Sequence, residues 1–218
     1  MKRIGLLAVL AAAFVAPSAH ATNECRGLMV CVPVAGPWVV TASVSRVEYD
    51  LSCPKNYVVA GLDAEVTSRG IDVGFVGALG SPVNPGITTQ RDAVFLGRVV
   101  RGSPLGATFR PHIGCVPAQG GGGRTPTVHD ALAPGKPVDR RVVQVPAQHN
   151  RSLRARCPSH ERLSDATYAI GFYGAGPPTA AAARSVHVSQ TVKNGTVTLA
   201  IRSHTNAVVQ LDLLCVAA

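Results

Sequence analysis

Cys53-Pro54, Val73-Gly74-Phe75-Val76-Gly77-Ala78, Pro82 and Cys115-Val116 recur further along the chain as Cys157-Pro158, Ile170-Gly171-Phe172-Tyr173-Gly174-Ala175, Pro177 and Cys215-Val216. Cys157 follows Cys53 by 104 residues, Gly171 follows Gly74 by 97 and Cys215 follows Cys115 by 100, so the two series keep their order. Such a repeat fixes architecture before any local reading does, because each copy must close a core of its own or share one with its twin. It predicts a duplicated module of about 80 residues.

Periodicity names the class of structure. Val47, Tyr49, Leu51 and Cys53 alternate with Glu48, Asp50 and Ser52, and Leu153, Ala155 and Cys157 alternate with Ser152, Arg154 and Arg156. Apolar residues at every second position mark a half-buried strand. Val94 to Val100 reads as another strand, with Gly97 a bulge. The closing stretches run in parallel, Phe109, Pro111 and Ile113 before Cys115 and Val209, Leu211 and Leu213 before Cys215. Pro111 has no N–H for a ladder, which predicts an edge or bulged strand there. Asn194-Gly195 between two alternating stretches is a hairpin signal. No window has a sustained helical period. The expected fold is all-β: two tandem antiparallel β-sandwich-like modules, each with an internal disulfide. A single pseudo-symmetric sheet structure using both copies is the alternative.

The chain opens Met1-Lys2-Arg3, runs apolar from Ile4 to Val15 and reaches Ala19-His20-Ala21. A charged start, a short apolar core and an A-x-A end make a signal peptide over 1–21. The mature chain then has 197 residues and no stretch of the ~20 apolar residues that a spanning helix needs. Export to a periplasmic or extracellular space suits the six cysteines, all beyond residue 21. Pairing inside each module gives Cys53–Cys115 and Cys157–Cys215 and leaves Cys25 for Cys31. No two cysteines stand at metal-ligand spacing, so neither a metal nor another cofactor is expected.

The pieces divide as a disulfide-clipped head segment (22–37), module 1 (38–117), a Gly/Pro-rich linker (118–137) and module 2 (138–218). Four successive glycines from Gly120 to Gly123 hold no regular element, and the ending that a phosphate loop requires is missing. In the head segment, Leu28, Met29 and Val30 with the adjacent Trp38 are a candidate docking element, or else a plug over one end of module 1.

For chemistry, His129-Asp130 falls in the linker and His160-Glu161 just past Cys157-Pro158, neither mounted rigidly enough for acid–base work. His112 and His187 fall on outward positions and are expected to be solvated. The residues that the copies share, including Asp63-Ala64 and Asp165-Ala166, are those of turns and packing, with Phe75 and Phe172 expected to fill the core. One carboxylate per copy is far short of a calcium site. The mature chain carries 19 basic against 12 acidic side chains. Arg140, Arg141, Arg151, Arg154, Arg156 and Arg162 cluster in module 2 and form a candidate anion-binding set, since guanidinium forks match carboxylate and phosphate. Stacking aromatics do not accompany them, so nucleic acid is not expected. The leading expectation is a secreted or periplasmic non-enzymatic β-repeat protein with a structural or interaction role. Its partner would be an anionic envelope polymer or another exported protein. The alternative is a binder of anionic glycans or lipid headgroups through the arginines, and a hydrolase with a site between the modules comes third.

Overall fold

Among the described residues the chain forms strands β1 (Val32–Ala35), β2 (Trp38–Val40), β3 (Val47–Ser52), β4 (Tyr57–Val66), β5 (Ile71–Val76), β6 (Asp92–Val99) and β7 (Thr108–Pro117). They are followed by β8 (Asp139–Pro146), β9 (Arg151–Arg156), β10 (Glu161–Phe172), β11 (Val186–Lys193), β12 (Thr196–Ser203) and β13 (Val208–Ala217). One helical turn, α1 (Ala180–Arg184), precedes β11 and is capped by the Thr179 hydroxyl. The structure, a computed structural model, describes residues 22–28, 30–41, 46–76, 91–100, 107–118, 139–146 and 150–218. Within 139–146 it describes side chains only at Val143, Val145 and Pro146. The expected signal peptide over 1–21, Met29, the expected linker from residue 119, His129 and Asp130 lie outside the described residues.

The fold is all-β, with antiparallel pairing throughout. Three disulfides close it: Cys25–Cys31, Cys53–Cys115 and Cys157–Cys215. These are the pairs that the cysteine frame leads one to expect, and disulfides of this kind belong to an oxidising compartment.

Each cysteine-framed half contains six strands joined by one pairing scheme. In the first, β7 pairs with β4 and β2 while β6 pairs with β3 and β5. In the second, β13 pairs with β10 and β8 while β12 pairs with β9 and β11. The likeness extends to detail. The β4 and β10 ladders both shift register partway along, and Asp63 and Asp165 each accept the next residue's N–H at 2.8 Å.

The halves do not stand apart. β2 pairs with β7 on one edge and with Gly171 and Phe172 of β10 on the other. One large sheet therefore runs through both halves, flanked by the small sheets β3–β6–β5 and β9–β12–β11. Side-chain alternation decides where each small sheet packs. Val39, Phe109, Ile113 and Ala169 leave the large sheet on one face and join Tyr49 and Phe95 in the first core. Phe172, Val209, Leu211 and Leu213 leave on the other face and join Val197, Leu199 and Ile201 in the second. The small sheets thus lie on opposite faces of the large one. Cys53 follows β3 and Cys157 follows β9, so each long disulfide ties a small sheet to the large sheet across its core.

Where β3 passes the second half, the buried Gln210 acts as a substitute strand. Its Oε1 accepts the Asp50 N–H at 2.6 Å and its Nε2 donates to the Asp50 carbonyl at 2.9 Å. The Tyr49 hydroxyl meets Tyr173 of the other half, and burial first, that contact second, pushes the Tyr49 phenol up from its ordinary range.

Three local expectations need correction. Gly97 is no bulge: it pairs in unbroken register with Val47 and Val73, and a Cβ there would lie 2.3 Å from the Phe109 ring. The strand holding Pro111 is not an edge, since β4 lines one side and β1 and β2 line the other. Pro111 faces the break between β1 and β2, where Gly36 donates to its carbonyl at 2.8 Å, so the ladder is interrupted where the proline has no N–H. Finally, Phe172 is buried but its counterpart Phe75 is 49% exposed, resting edge-on against Phe95.

Candidate functional site

The arginines expected to act together divide among several places. On β9, Leu153 and Ala155 turn toward the second core, so Arg154 and Arg156 both project into solvent from the opposite face. Arg151 is exposed at the start of the same strand, in register with the inward-facing Ile201, so it does not share that face. Arg162 is exposed on β10 of the large sheet. Arg140 and Arg141 belong to β8 at the border of the large sheet, opposite Leu214 and Leu213, and their side chains lie outside the described residues.

Arg154 and Arg156 gain neighbours that lie far off in sequence. The Asn194-Gly195 turn, with φ of 50° and 69°, folds β12 back along β11. β12 then pairs with β9, so Arg156, Thr196 and Lys193 form one row across the sheet and Arg154, Thr198 and Thr191 the next. Arg202 and His187 form a row at the far end. The two terminal rows hold Arg156, Lys193, Arg202 and His187, and all four are exposed. Nowhere in β9, β11 or β12 is there an Asp or Glu. The side chains of Arg154, Arg202 and Lys193 make no hydrogen bond or ion pair with other described residues.

Most described arginines of the first half are engaged, Arg69 being the exception. Arg46 pairs with Glu48, Arg98 pairs with Asp72, Arg91 donates to the Cys53 carbonyl, and Arg110 donates to the Gly36 carbonyl while lying over the Trp38 ring. The small sheet there carries Glu48, Asp50, Asp72 and Asp92 against Arg98 alone. Two sheets with one pairing scheme thus carry opposite charge. Lys193 and Arg202 went unread in the sequence, although the alternation that marks Val197, Leu199 and Ile201 as inward makes their neighbours outward.

The head segment forms a second polar site. It lies on the face of β4 and β7 turned away from the first core, and the Glu24 carbonyl enters a notch that side chains at Gly61 or Gly114 would fill. Leu28 is half-buried there and Val30 is 56% exposed, while Trp38 is only 5% exposed and presents no docking surface. This cover also corrects the reading of His112, which is 6% exposed rather than solvated. Its register does turn it away from the core, but the head segment closes over it. His112 Nε2 lies 3.0 Å from Glu65 and Nδ1 lies 3.8 Å from the buried Glu24. Asp63 in the same row accepts the Asn23 N–H at 2.6 Å. Asp63 and His112 thus both meet the head segment, through the Asn23 N–H and the Glu24 carboxylate. His187, by contrast, is exposed as expected, and His160 is exposed 3.6 Å from Glu161.

A cleft of about 50 Å³ opens where the halves meet, lined by Arg46, Glu48, Asp165, Thr167, Asp212 and Leu214. It has room for water; small-molecule sites run to about 300–1,000 Å³. Among the described residues no group of three or more His, Cys, Asp or Glu is arranged to hold a metal ion, and no helix is long and apolar enough to cross a membrane. Compared with known proteins, the chain matches no family model, no characterised protein and no solved structure.

Proposed function

We propose that this chain is an exported, non-enzymatic protein made of two copies of one disulfide-framed, β-sandwich-like unit, and that it works by holding an anionic partner. The shared pairing scheme, the matched disulfides and the matching contacts of Asp63 on β4 and Asp165 on β10 support the duplication. The binding surface is the outer face of β9–β12–β11. One observation carries this reading: that face holds Arg154, Arg156, Lys193 and Arg202 and no carboxylate of the three strands, and the side chains of Arg154, Arg202 and Lys193 have no partner among the described residues. Cations placed only to keep a protein soluble do not need to be segregated from every acid. Arginines placed to hold the fold together are engaged by it, as Arg46, Arg91, Arg98 and Arg110 are in the first half.

The test is an Arg154→Ser/Arg156→Ser double variant, compared with wild type for retention on anionic glycan and anionic lipid surfaces at low salt. A charge-assisted hydrogen bond contributes about 1.5–3 kcal/mol. Loss of the pair should therefore weaken binding by at least tenfold without changing the far-UV spectrum. Retention equal to wild type on every anionic surface would remove the proposal.

A further inference from the structure

We infer that the partner of the β9–β12–β11 face is an acidic polysaccharide, a chain bearing uronate or sulfate groups among free hydroxyls; the inference rests on the preceding reading of this face as an anion site. The argument starts from what lies between the cations. Outward positions on β12 carry Thr196, Thr198, Ala200 and Arg202, and those on β11 carry His187, Ser189, Thr191 and Lys193. Thr191, Thr196 and Thr198 have no hydrogen-bond partner among the described residues, so their hydroxyls remain available. The face is therefore a field of short hydroxyls bordered by cations.

Its dimensions suit a polymer. Arg154 and Arg156 are two residues apart on β9, which is about 7 Å, and Lys193 is two strands away from Arg156, which is about 10 Å. From the Thr196 row to the Arg202 row is about 20 Å. A single headgroup or small anion would reach one border of this field only. A linear chain laid along the strands reaches both, meeting guanidinium forks with its acids and Thr hydroxyls with its own.

Two other polyanions fit less well. No large apolar side chain projects from this face, so there is nothing to enter a lipid layer. No aromatic ring stands among the cations to stack a nucleobase.

The experiment measures binding of the full mature chain to polygalacturonate, to polyacrylate of equal charge, to neutral dextran and to anionic phospholipid vesicles. Polygalacturonate should bind about tenfold tighter than polyacrylate, which has the carboxylates without the hydroxyls, and dextran should not bind. Thr191→Val/Thr198→Val, nearly isosteric and outward-facing, should weaken polygalacturonate binding about threefold to tenfold and leave polyacrylate binding unchanged, since a neutral hydrogen bond contributes about 0.5–1.5 kcal/mol. If polyacrylate or vesicles bind as tightly as polygalacturonate, and Arg154→Ser/Arg156→Ser releases them, the polysaccharide inference fails while the anion site stands. If no anionic ligand binds, both fail.

Discussion

Replacing Gln210 tests whether the two halves form one body. Gln210 is buried on β13, and its amide satisfies both the N–H and the C=O of Asp50 on β3, at 2.6 and 2.9 Å. Among the described residues β3 borders its small sheet and pairs with β6 alone, so these two backbone groups have no ladder there on that side. Gln210→Met keeps the volume and removes both hydrogen bonds. A buried donor or acceptor left unpaired costs about 1–3 kcal/mol. Asp50 is half-buried, which allows water partial access, so the low end applies and the pair should cost about 2–4 kcal/mol. For a chain of this length each 1 kcal/mol lowers Tm by about 2–4 °C, which predicts a fall of about 4–16 °C. Gln210→Glu keeps the acceptor for the Asp50 N–H but sets a carboxylate against the Asp50 carbonyl, and should do no better than Met at neutral pH. Leu211→Ala, a fully buried position one residue on, is the control for ordinary core damage at about 2–5 kcal/mol. The assay is calorimetry together with guanidinium unfolding read by far-UV circular dichroism. Wild type should unfold in one transition. Two separate transitions in wild type, or a Gln210→Met variant within 0.5 kcal/mol of it beside a normal Leu211→Ala loss, would refute the reasoning; the 0.5 threshold is about the scatter of neutral surface changes.

Gly114→Ala should lift the head segment, because a Cβ there would lie 2.1 Å from the Glu24 carbonyl oxygen; proteolysis within residues 22–35 should then quicken while the rest of the chain stays intact, and an unchanged digest would contradict the packing. The alkaline limit of stability should be set in part by Tyr49, whose phenol is pushed up by burial and by Tyr173. The folded form holds a proton that the unfolded chain releases near pH 10, so this contribution is intact below about pH 10 and declines above it. Tyrosinate absorbance followed with far-UV circular dichroism checks this, and ionisation of every tyrosine near pH 10 with the sheet signal unchanged would count against it.

How much of this was legible in the residues follows from what each signal measures. Alternation from Val47 to Cys53 and from Leu153 to Cys157 reports which side of a strand is apolar. It therefore yields the all-β class and the shared outward face of Arg154 and Arg156, while the order of the cysteines yields both framing disulfides. Alternation is silent on what covers the outward side. His112 is outward by register and buried in fact, since only the folded head segment brings the Glu24 carbonyl onto Gly61 and Gly114. Gly97 looks like a flaw in a strand until Phe109, from another sheet, is seen to occupy its missing side chain.

The sequence by itself thus determined that both halves are built of strands and pinned by cysteines, because strand period and cysteine spacing are local properties. Only the tertiary structure decided that they share a sheet. That junction is made by Trp38-Val39-Val40, a strand of three residues, too short to show any period of its own. The basic face was divided in the same way: one strand of it was readable, but its full extent depends on β11 and β12 being brought beside β9. Strand order is set by long-range backbone pairing and by which faces bury together, and neither is written in any single stretch.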